Sequence, residues 1–345
     1  MTEDRSRATI FDVARRAGVS TATVSRVLAG IGNPRPATEA AVRAAAEALD
    51  YRPSGVARSL RMKRTRTLGL IVTDIGNPFF PELVRGADVA ARSRGYSIIL
   101  GSAAYDEHRA LHYLDLMVDR RVDGLIIASS QLSNTSRPWL TRSPVPLVAV
   151  NAEPTDPSIT VITSDNIGGA RMATEHLIGL GHRRLAYIRG AESFSADEPR
   201  VAGFRAAGRA AGLARADLRE VRGDGQVEGG ELAAARLLSE RTGITGIVCY
   251  NDVTAIGAVR ALRAAGLRVP EDISVIGCDD IAAAGWVVPS LTTVGQQKAE
   301  MGTLAVEHLV SRIDGRAEPD AHEVIRLPMV LVERESTGPA PGGSR

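Results

Sequence analysis

A small all-helical head carrying a helix-turn-helix, followed by a larger α/β body of parallel strands in two lobes, is the architecture this sequence predicts. Three observations predict it. Two short amphipathic segments meet at a glycine near the amino end, positive charge is concentrated in the first 66 residues, and apolar strands alternate with amphipathic helices from Thr67 onward.

The head comes first. Thr9 with Asp12 forms a capping-box-like start, since a hydroxyl suits an N-cap and a carboxylate is favoured by the helix dipole in the first turn. Ile10, Val13, Ala14 and Ala17 form one apolar stripe, and Gly18 supplies the left-handed geometry that ends a helix. The first helix is therefore expected over Thr9 to Ala17. The second is expected over Ser20 to Ala29, with Ser20 as N-cap, Val24, Val27 and Leu28 inward, and Thr21, Ala22, Ser25, Arg26 and Ala29 outward. A third begins near Thr38, and its Val42, Ala45, Ala46 and Leu49 complete a small core. This spacing can present a helix to the DNA major groove, although a helical bundle without a DNA partner has the same pattern.

Charge separates the two readings. Residues 1 to 66 hold 13 Lys or Arg against 6 Asp or Glu, a net +7, whereas the whole chain is +2, which leaves about −5 for the body. Phosphate attraction is thus confined to the head and to the tract Arg58, Arg61, Lys63, Arg64, Arg66. Between them, Pro53 to Leu60 reads as a short helix with Val56, Ala57 and Leu60 on one edge, too short to be stable unsupported.

In the body, candidate strands are Leu68 to Thr73, Tyr96 to Gly101, Gly124 to Ala128, Leu147 to Val150 and Val161 to Thr163, then Leu185 to Ile188, Glu220 to Arg222, Gly246 to Tyr250 and Val275 to Cys278. Helical stripes such as Leu83 to Ala91 and Leu111 to Val118 lie between them, as in a doubly wound sheet, and the length suits two lobes. Ligands bind beyond the carboxyl ends of such strands, where this chain has Thr73-Asp74, Ser129-Ser130, Asn151, Asp165, Asn251-Asp252 and Asp279-Asp280. Singly, each is as readily a turn or cap; their recurrence on successive strands points to a site.

Thr9 through Leu28, then Leu49-Asp-Tyr-Arg-Pro53 and Val56-Ala-Arg-Ser-Leu60, resemble the head and hinge of the lactose-repressor/galactose-repressor family of bacterial transcription regulators. Further segments continue the resemblance in order: Asn77-Pro-Phe-Phe80, Arg121-Val-Asp-Gly-Leu125, His176 to Leu185, Arg200-Val-Ala-Gly-Phe204, Gly266 to Pro270 and Pro289 to Thr293. It implies a helix-turn-helix domain over 1–52, a hinge helix and linker over 53–66, and a periplasmic-binding-protein-like (type I) core over 67–336 with three crossovers. Lobe one would comprise 67–162 plus 294–320 and lobe two 163–293 plus 321–336, with a disordered tail over 337–345.

The resemblance also implies roles. Thr21, Ala22 and Arg26 match base-reading positions, and Thr9, Ser20, Thr23 and Ser25 match phosphate contacts. Asn33, Tyr51, Ser54, Val56 and Ala57 complete the DNA-facing set, with Leu60 as the wedge that enters the minor groove. Ala29 replaces a common asparagine, and the pair Thr21-Ala22 offers few hydrogen bonds. In the core, Phe79 or Phe80 would stack on a ring and Asn151 would sit at the cleft. Arg200, Asn251 and Asp279 would bind hydroxyls, and Ser130, Phe194 and Trp286 complete the effector set. Gly225 stands where some members of the family carry an aromatic, and Ala152 and Ala196 stand where nucleobase-responsive relatives carry larger or polar groups, which favours a sugar over a purine.

Other classes receive less support. His108 and His112 share a helix face without a third ligand at a recognised spacing, no phosphate loop or nucleophile elbow occurs, and no cofactor is implied. Cys249 and Cys278 lie in or at the end of apolar strands, so packing in a reducing compartment is expected. A secreted solute receptor would share the core, but the head and an amino end without an apolar stretch argue for a cytoplasmic regulator with no membrane contact. A sugar-processing enzyme is the third class. The tail has no heptads, so a homodimer is the expected assembly on a palindromic operator.

Overall fold

The computed structural model describes residues 8–28, 30, 32–51, 64–128, 137–153, 159–316 and 323–342. It divides into a head, Met1–Thr65, and a core, Arg66–Arg345. Ala29, Ser54, Val56, Ala57, Leu60 and Ser130 lie outside the described residues, as does most of the basic tract.

The head contains α1 (Ile10–Ala17), α2 (Thr21–Leu28) and α3 (Pro36–Ala48). The Asp12 carboxylate accepts from the Thr9 backbone N–H at 2.9 Å and from its hydroxyl at 2.6 Å, which closes the first turn of α1. Those bonds hold the carboxyl below the usual aspartate range. Gly18 follows in the left-handed region at φ +64°, where a glycine carries no Cβ penalty. The Ser20 Oγ accepts the Thr23 N–H at 3.2 Å, so Ser20 caps α2. Helix α3 begins two residues earlier than the Thr38 expected. Pro36 causes this, because a proline in the first turn forfeits no intrahelical bond. Val13, Ala14, Val24, Val27, Val42, Ala45 and Ala46 are buried together, with Leu28, Leu49 and Tyr51 packed against them.

The core holds two six-stranded sheets. Its first elements are β1 (Thr67–Val72), α4 (Phe79–Ser93), β2 (Ser97–Ser102), α5 (Glu107–Asp119), β3 (Gly124–Ala128), α6 (Arg137–Thr141), β4 (Leu147–Val150) and β5 (Thr160–Ser164). There follow α7 (Asn166–Gly179), β6 (Leu185–Arg189), α8 (Asp197–Ala210), β7 (Leu218–Arg222), α9 (Val227–Ser239), β8 (Gly246–Cys249), α10 (Asp252–Ala264), β9 (Ser274–Asp279) and β10 (Thr292–Gly295). The last are α11 (Lys298–Ile313), β11 (Val324–Leu327) and β12 (Val330–Val332). Sheet order is β11-β5-β4-β3-β1-β2 in lobe one and β12-β10-β9-β8-β6-β7 in lobe two. All neighbours are parallel except β12, which runs antiparallel to β10.

Chain crossings fall later than expected. Strand β10 belongs wholly to lobe two, so the second crossing follows Gly295 rather than Thr293, and β11 belongs to lobe one, so the third follows Leu327 rather than residue 320. The half-exposed β11 is only four residues long, too short for a period to be read from it. Helix α11 then packs on α4 in lobe one. The two backbones touch through glycines: a Cβ on Gly86 would lie 2.1 Å from the Ala299 carbonyl oxygen, and one on Gly302 2.1 Å from that of Leu83. That seam begins at the same strand ends as the cleft.

The expected disorder of the tail is overturned for residues 337–342. The Ser336 Oγ donates to the Val275 carbonyl at 2.6 Å and accepts from the Thr292 N–H at 2.8 Å. Further along, the Gly338 N–H donates to Ser274 Oγ at 3.0 Å and the Ala340 N–H to the Leu180 carbonyl at 2.9 Å. Buried His182 completes the clasp, 2.9 Å from Thr245 Oγ1 and 3.0 Å from the Gly338 carbonyl. Composition rich in Gly and Pro signals only the absence of regular structure, and backbone groups without a helix or sheet still find partners.

Candidate functional site

The carboxyl ends of strands from both sheets converge on one cleft. Lobe one contributes Thr73, Asn77, Phe79, Phe80, Tyr105 and Asn151; lobe two contributes Phe194, Arg200, Tyr250, Asn251 and Asp279, with Gln296 at the crossing between them.

The floor is polar and buried. Arg200, Asn251 and Asp279 are each no more than 4 % exposed. The Arg200 Nε donates to Asn166 Oδ1 at 2.9 Å, one Nη donates to the Tyr250 carbonyl, and the guanidinium stacks 4.7 Å from the centre of the Tyr250 ring. Such fixing on three sides suits a planar, always-charged group. Burial pushes the Asp279 carboxyl above the usual range, and the opposite charge of Arg200 pulls it back. Asp279 itself is held at φ +126°, outside the ordinary strand geometry, where its Oδ1 accepts from Gln296 Nε2 at 2.6 Å. Gln296 Oε1 in turn accepts from Ser164 Oγ at 2.7 Å, so this amide ties the end of β5 in lobe one to the end of β9 in lobe two.

A buried lysine makes a second tie. Lys298, at the start of α11, donates to the carbonyls of Asp279 at 2.5 Å and Asp280 at 2.8 Å, with Glu82 of α4 3.7 Å away. The lobe-one seam thereby grips the backbone that carries the floor carboxylate.

Aromatic rings form the walls. Phe79 and Phe80 meet edge to face with centroids 5.2 Å apart, and Asn77 Oδ1 fixes their turn by accepting the Phe79 N–H at 3.0 Å. Opposite them, Phe194 lies 5.4 Å from Tyr250 and 5.9 Å from Tyr105. Gly225 makes room for Phe194. A Cβ there would stand 2.5 Å from the ring, and the residue is left-handed at φ +84°. Burial pushes the Tyr105 and Tyr250 phenols above their ordinary range, so both remain hydrogen-bond donors at neutral pH. Asn151 is left-handed at φ +54°, and among the described residues its buried Oδ1 has no hydrogen-bond partner. A buried amide oxygen without a partner is costly, and a ligand hydroxyl would satisfy it.

Seven of the nine residues expected at the effector site thus line the cleft, and Ser130 lies outside the described residues. Trp286 does not join them and is 79 % exposed. After β9 the chain turns so that Ile281, Ala284 and Leu291 pack inward, which leaves the indole on the surface. Asn251 also has a structural duty: its Oδ1 caps α10 by accepting the Thr254 N–H at 2.8 Å, and its Nδ2 donates to the Gly225 carbonyl at 3.0 Å. Tyr105, Tyr250 and Gln296 are additions that the sequence reading did not place there.

On the head, the exposed edge of α2 presents Ala22 and Arg26, with Thr21, Thr23 and Ser25 half-buried beside them. Thr9, Ser20 and Asn33 are exposed at the ends of the helices and in the following loop, whereas Tyr51 packs on the head core. Ser20 Oγ and Thr23 Oγ1 are 3.0 Å apart, which fixes both hydroxyls at the amino end of α2.

A helix-turn-helix head with a two-lobed core and a polar, ring-walled cleft defines an effector-responsive DNA-binding regulator. Comparison with known proteins agrees. Residues 9–54 match the bacterial regulatory proteins of the lacI family, and residues 174–337 match the periplasmic binding protein-like domain. The ribose operon repressor of Escherichia coli (strain K12) is 40 % identical over 331 residues, covering 95 % of this chain and 99 % of that protein. The transcriptional repressor PurR of Aliivibrio fischeri (strain MJ11) is 38 % identical, covering 89 % and 92 %. Among solved structures, a lac repressor dimer bound to operator and an anti-inducer superposes with a TM-score of 0.87 at 28 % identity, covering 96 % of this chain and all of that one. A ribose-bound lacI-family regulator from Enterococcus faecium gives 0.71 at 30 % identity, covering 79 % and 99 %. The chain belongs to the lacI family of bacterial transcription regulators and is a DNA-binding repressor rather than an enzyme.

Proposed function

We propose that this repressor acts as a cytoplasmic homodimer on a palindromic operator and that a sugar bound in the cleft changes its operator affinity. The carrying observation is the cleft itself, where a buried Arg200 and Asp279 supply donor and acceptor between rings on both walls. Sugar hydroxyls both donate and accept, and a pyranose or furanose presents apolar C–H faces to rings. Relatives whose names and titles mention ribose and its operon are consistent with this, and among the described residues no helix is long and apolar enough to cross a membrane.

Arg26 reads a base edge, for which a guanidinium is suited to a bidentate contact with guanine, while Thr21 and Ala22 add apolar and single-bond contacts. Thr9, Ser20, Thr23 and Ser25 hold phosphates. Because Gln296 and Lys298 tie floor groups of lobe two to lobe one, a ligand on Asp279 and Arg200 biases the relative setting of the lobes. A hundredfold change in operator affinity requires about 2.7 kcal/mol of differential effector binding. Calorimetry of the full chain against a panel of pentoses, hexoses and nucleobases tests the reading. Binding of a sugar with no nucleobase response is expected; nucleobase binding alone overturns it.

A further inference from the structure

We infer that Tyr105 and Gln226 restrict the cleft to ligands of a single sugar ring, by closing its rim with a hydrogen bond across the two lobes. The inference rests on the reading of the cleft as a sugar site. Tyr105 follows β2 in lobe one, and Gln226 precedes α9 in lobe two. The Gln226 Nε2 donates to the Tyr105 Oη at 2.7 Å, and Asn77 Nδ2 approaches the same oxygen at 3.5 Å. Both side chains are half-buried, whereas the floor beneath them is buried, so the pair stands between floor and solvent.

The rim is built to hold that position. Ala104 and Tyr105 are successive left-handed residues at φ +50° and +60°, a conformation that disfavours a side chain and persists only where surroundings enforce it. Here the Tyr105 N–H donates to the Thr73 carbonyl at 3.2 Å, and the Tyr105 ring continues the Phe194–Tyr250 wall. On the other side, the Gln226 N–H donates to Asp224 Oδ1 at 2.8 Å, while Asn251 grips the adjacent Gly225 carbonyl at 3.0 Å. The lobe-two side of the rim is thereby anchored to the floor residue Asn251.

Ring-to-ring spacing across the cleft is short, with the Tyr105 ring of lobe one 5.9 Å from the Phe194 ring of lobe two. A second, glycosidically linked ring that extends from a floor-bound sugar toward Tyr105 and Gln226 meets their hydrogen bond and must part the two side chains to pass.

Calorimetry of the full chain with D-ribose, D-xylose and D-glucose, and with xylobiose and cellobiose, tests this. The parent is expected to bind at least one monosaccharide and neither disaccharide. Tyr105→Phe and Gln226→Ala should each weaken monosaccharide binding about two- to tenfold, and the double variant no further, because both delete one hydrogen bond. Tyr105→Ala with Gln226→Ala should gain measurable disaccharide binding. Disaccharide binding by the parent, or additive losses with unchanged selectivity, overturns the inference while leaving the sugar site intact. Absence of any sugar binding by the parent overturns both. Tyr105→Phe keeps the ring and its packing, so the cycle stays informative even if the alanine variants unfold.

Discussion

Gly225→Ala probes the cleft wall by adding one methyl group and removing no polar side chain. Two costs add at this position. The residue sits at φ +84°, where a side chain costs roughly 1–2 kcal/mol. The new Cβ would also stand 2.5 Å from Phe194 Cε2, so the ring must retreat by roughly 1 Å to reach an ordinary carbon contact of about 3.5 Å. Gly266→Ala is the matched control, since Gly266 has φ +79° and nothing within 4 Å of its built Cβ. Both variants should lose thermal stability, by roughly 2–8 °C for a domain of this size. Only Gly225→Ala displaces the ring that spans Tyr105 and Tyr250. Loss of ring contacts worth about 0.5–1.5 kcal/mol weakens sugar binding roughly 2- to 12-fold. Scanning fluorimetry and calorimetry on the pair separate the effects. Equal sugar affinity in the two variants would refute the assignment of Phe194 as a ligand wall.

Three further outcomes are expected. Arg26→Ala should weaken operator binding by about 1–3 kcal/mol and relax selectivity at one base pair per half-site, with little change on random duplex; fluorescence anisotropy with both DNAs checks this. Lys298→Met leaves the Asp279 and Asp280 carbonyls without their buried donor, and should cost about 1–3 kcal/mol of stability, read from chemical denaturation. Asp252 is buried, accepts from Thr293 Oγ1 and the Ile281 N–H, and burial pushes its carboxyl from 3.8 up to about 7, helped by the nearby charge of Asp279. A carboxyl raised in the folded state imposes no penalty below about pH 4, a growing one as pH rises toward 7, and a constant one above. The melting temperature of Asp252→Asn relative to the parent should therefore rise from pH 5 to pH 8; a flat difference contradicts the burial argument.

Much of this was legible in sequence because it rests on periodicity and local chemistry. Thr9 with Asp12, Gly18 and Ser20 marked the head helices, and β1 to β9 lie within one or two residues of expectation, whereas β10, β11 and β12 were not expected as strands. The site was legible where a polar residue follows a predicted strand, as for Asn151, Asn251 and Asp279. Gln296 escaped because β10 was not expected as a strand and the expected lobe boundary after Thr293 fell inside it, which hid the strand end that Gln296 follows. Tyr105 escaped because its role depends on two left-handed residues and a partner 121 positions away, and neither leaves a periodic trace. Trp286 misled for the opposite reason. Aromatic character marks a candidate wall, but only the turn of the chain decides which side it faces, and here it faces solvent. Gly225 stood out in the sequence, but its packing needed coordinates: the missing side chain is the space that Phe194 fills.

The central claim is that occupancy of the cleft by a sugar controls the head. Anisotropy of a labelled duplex from the gene's own upstream DNA, titrated with the full chain at fixed salt with and without the sugar identified by calorimetry, tests it directly. Sugar occupancy is expected to shift operator affinity about a hundredfold, and Asp279→Ala to abolish the shift. Operator binding that is the same with and without a sugar known to occupy the cleft would contradict it.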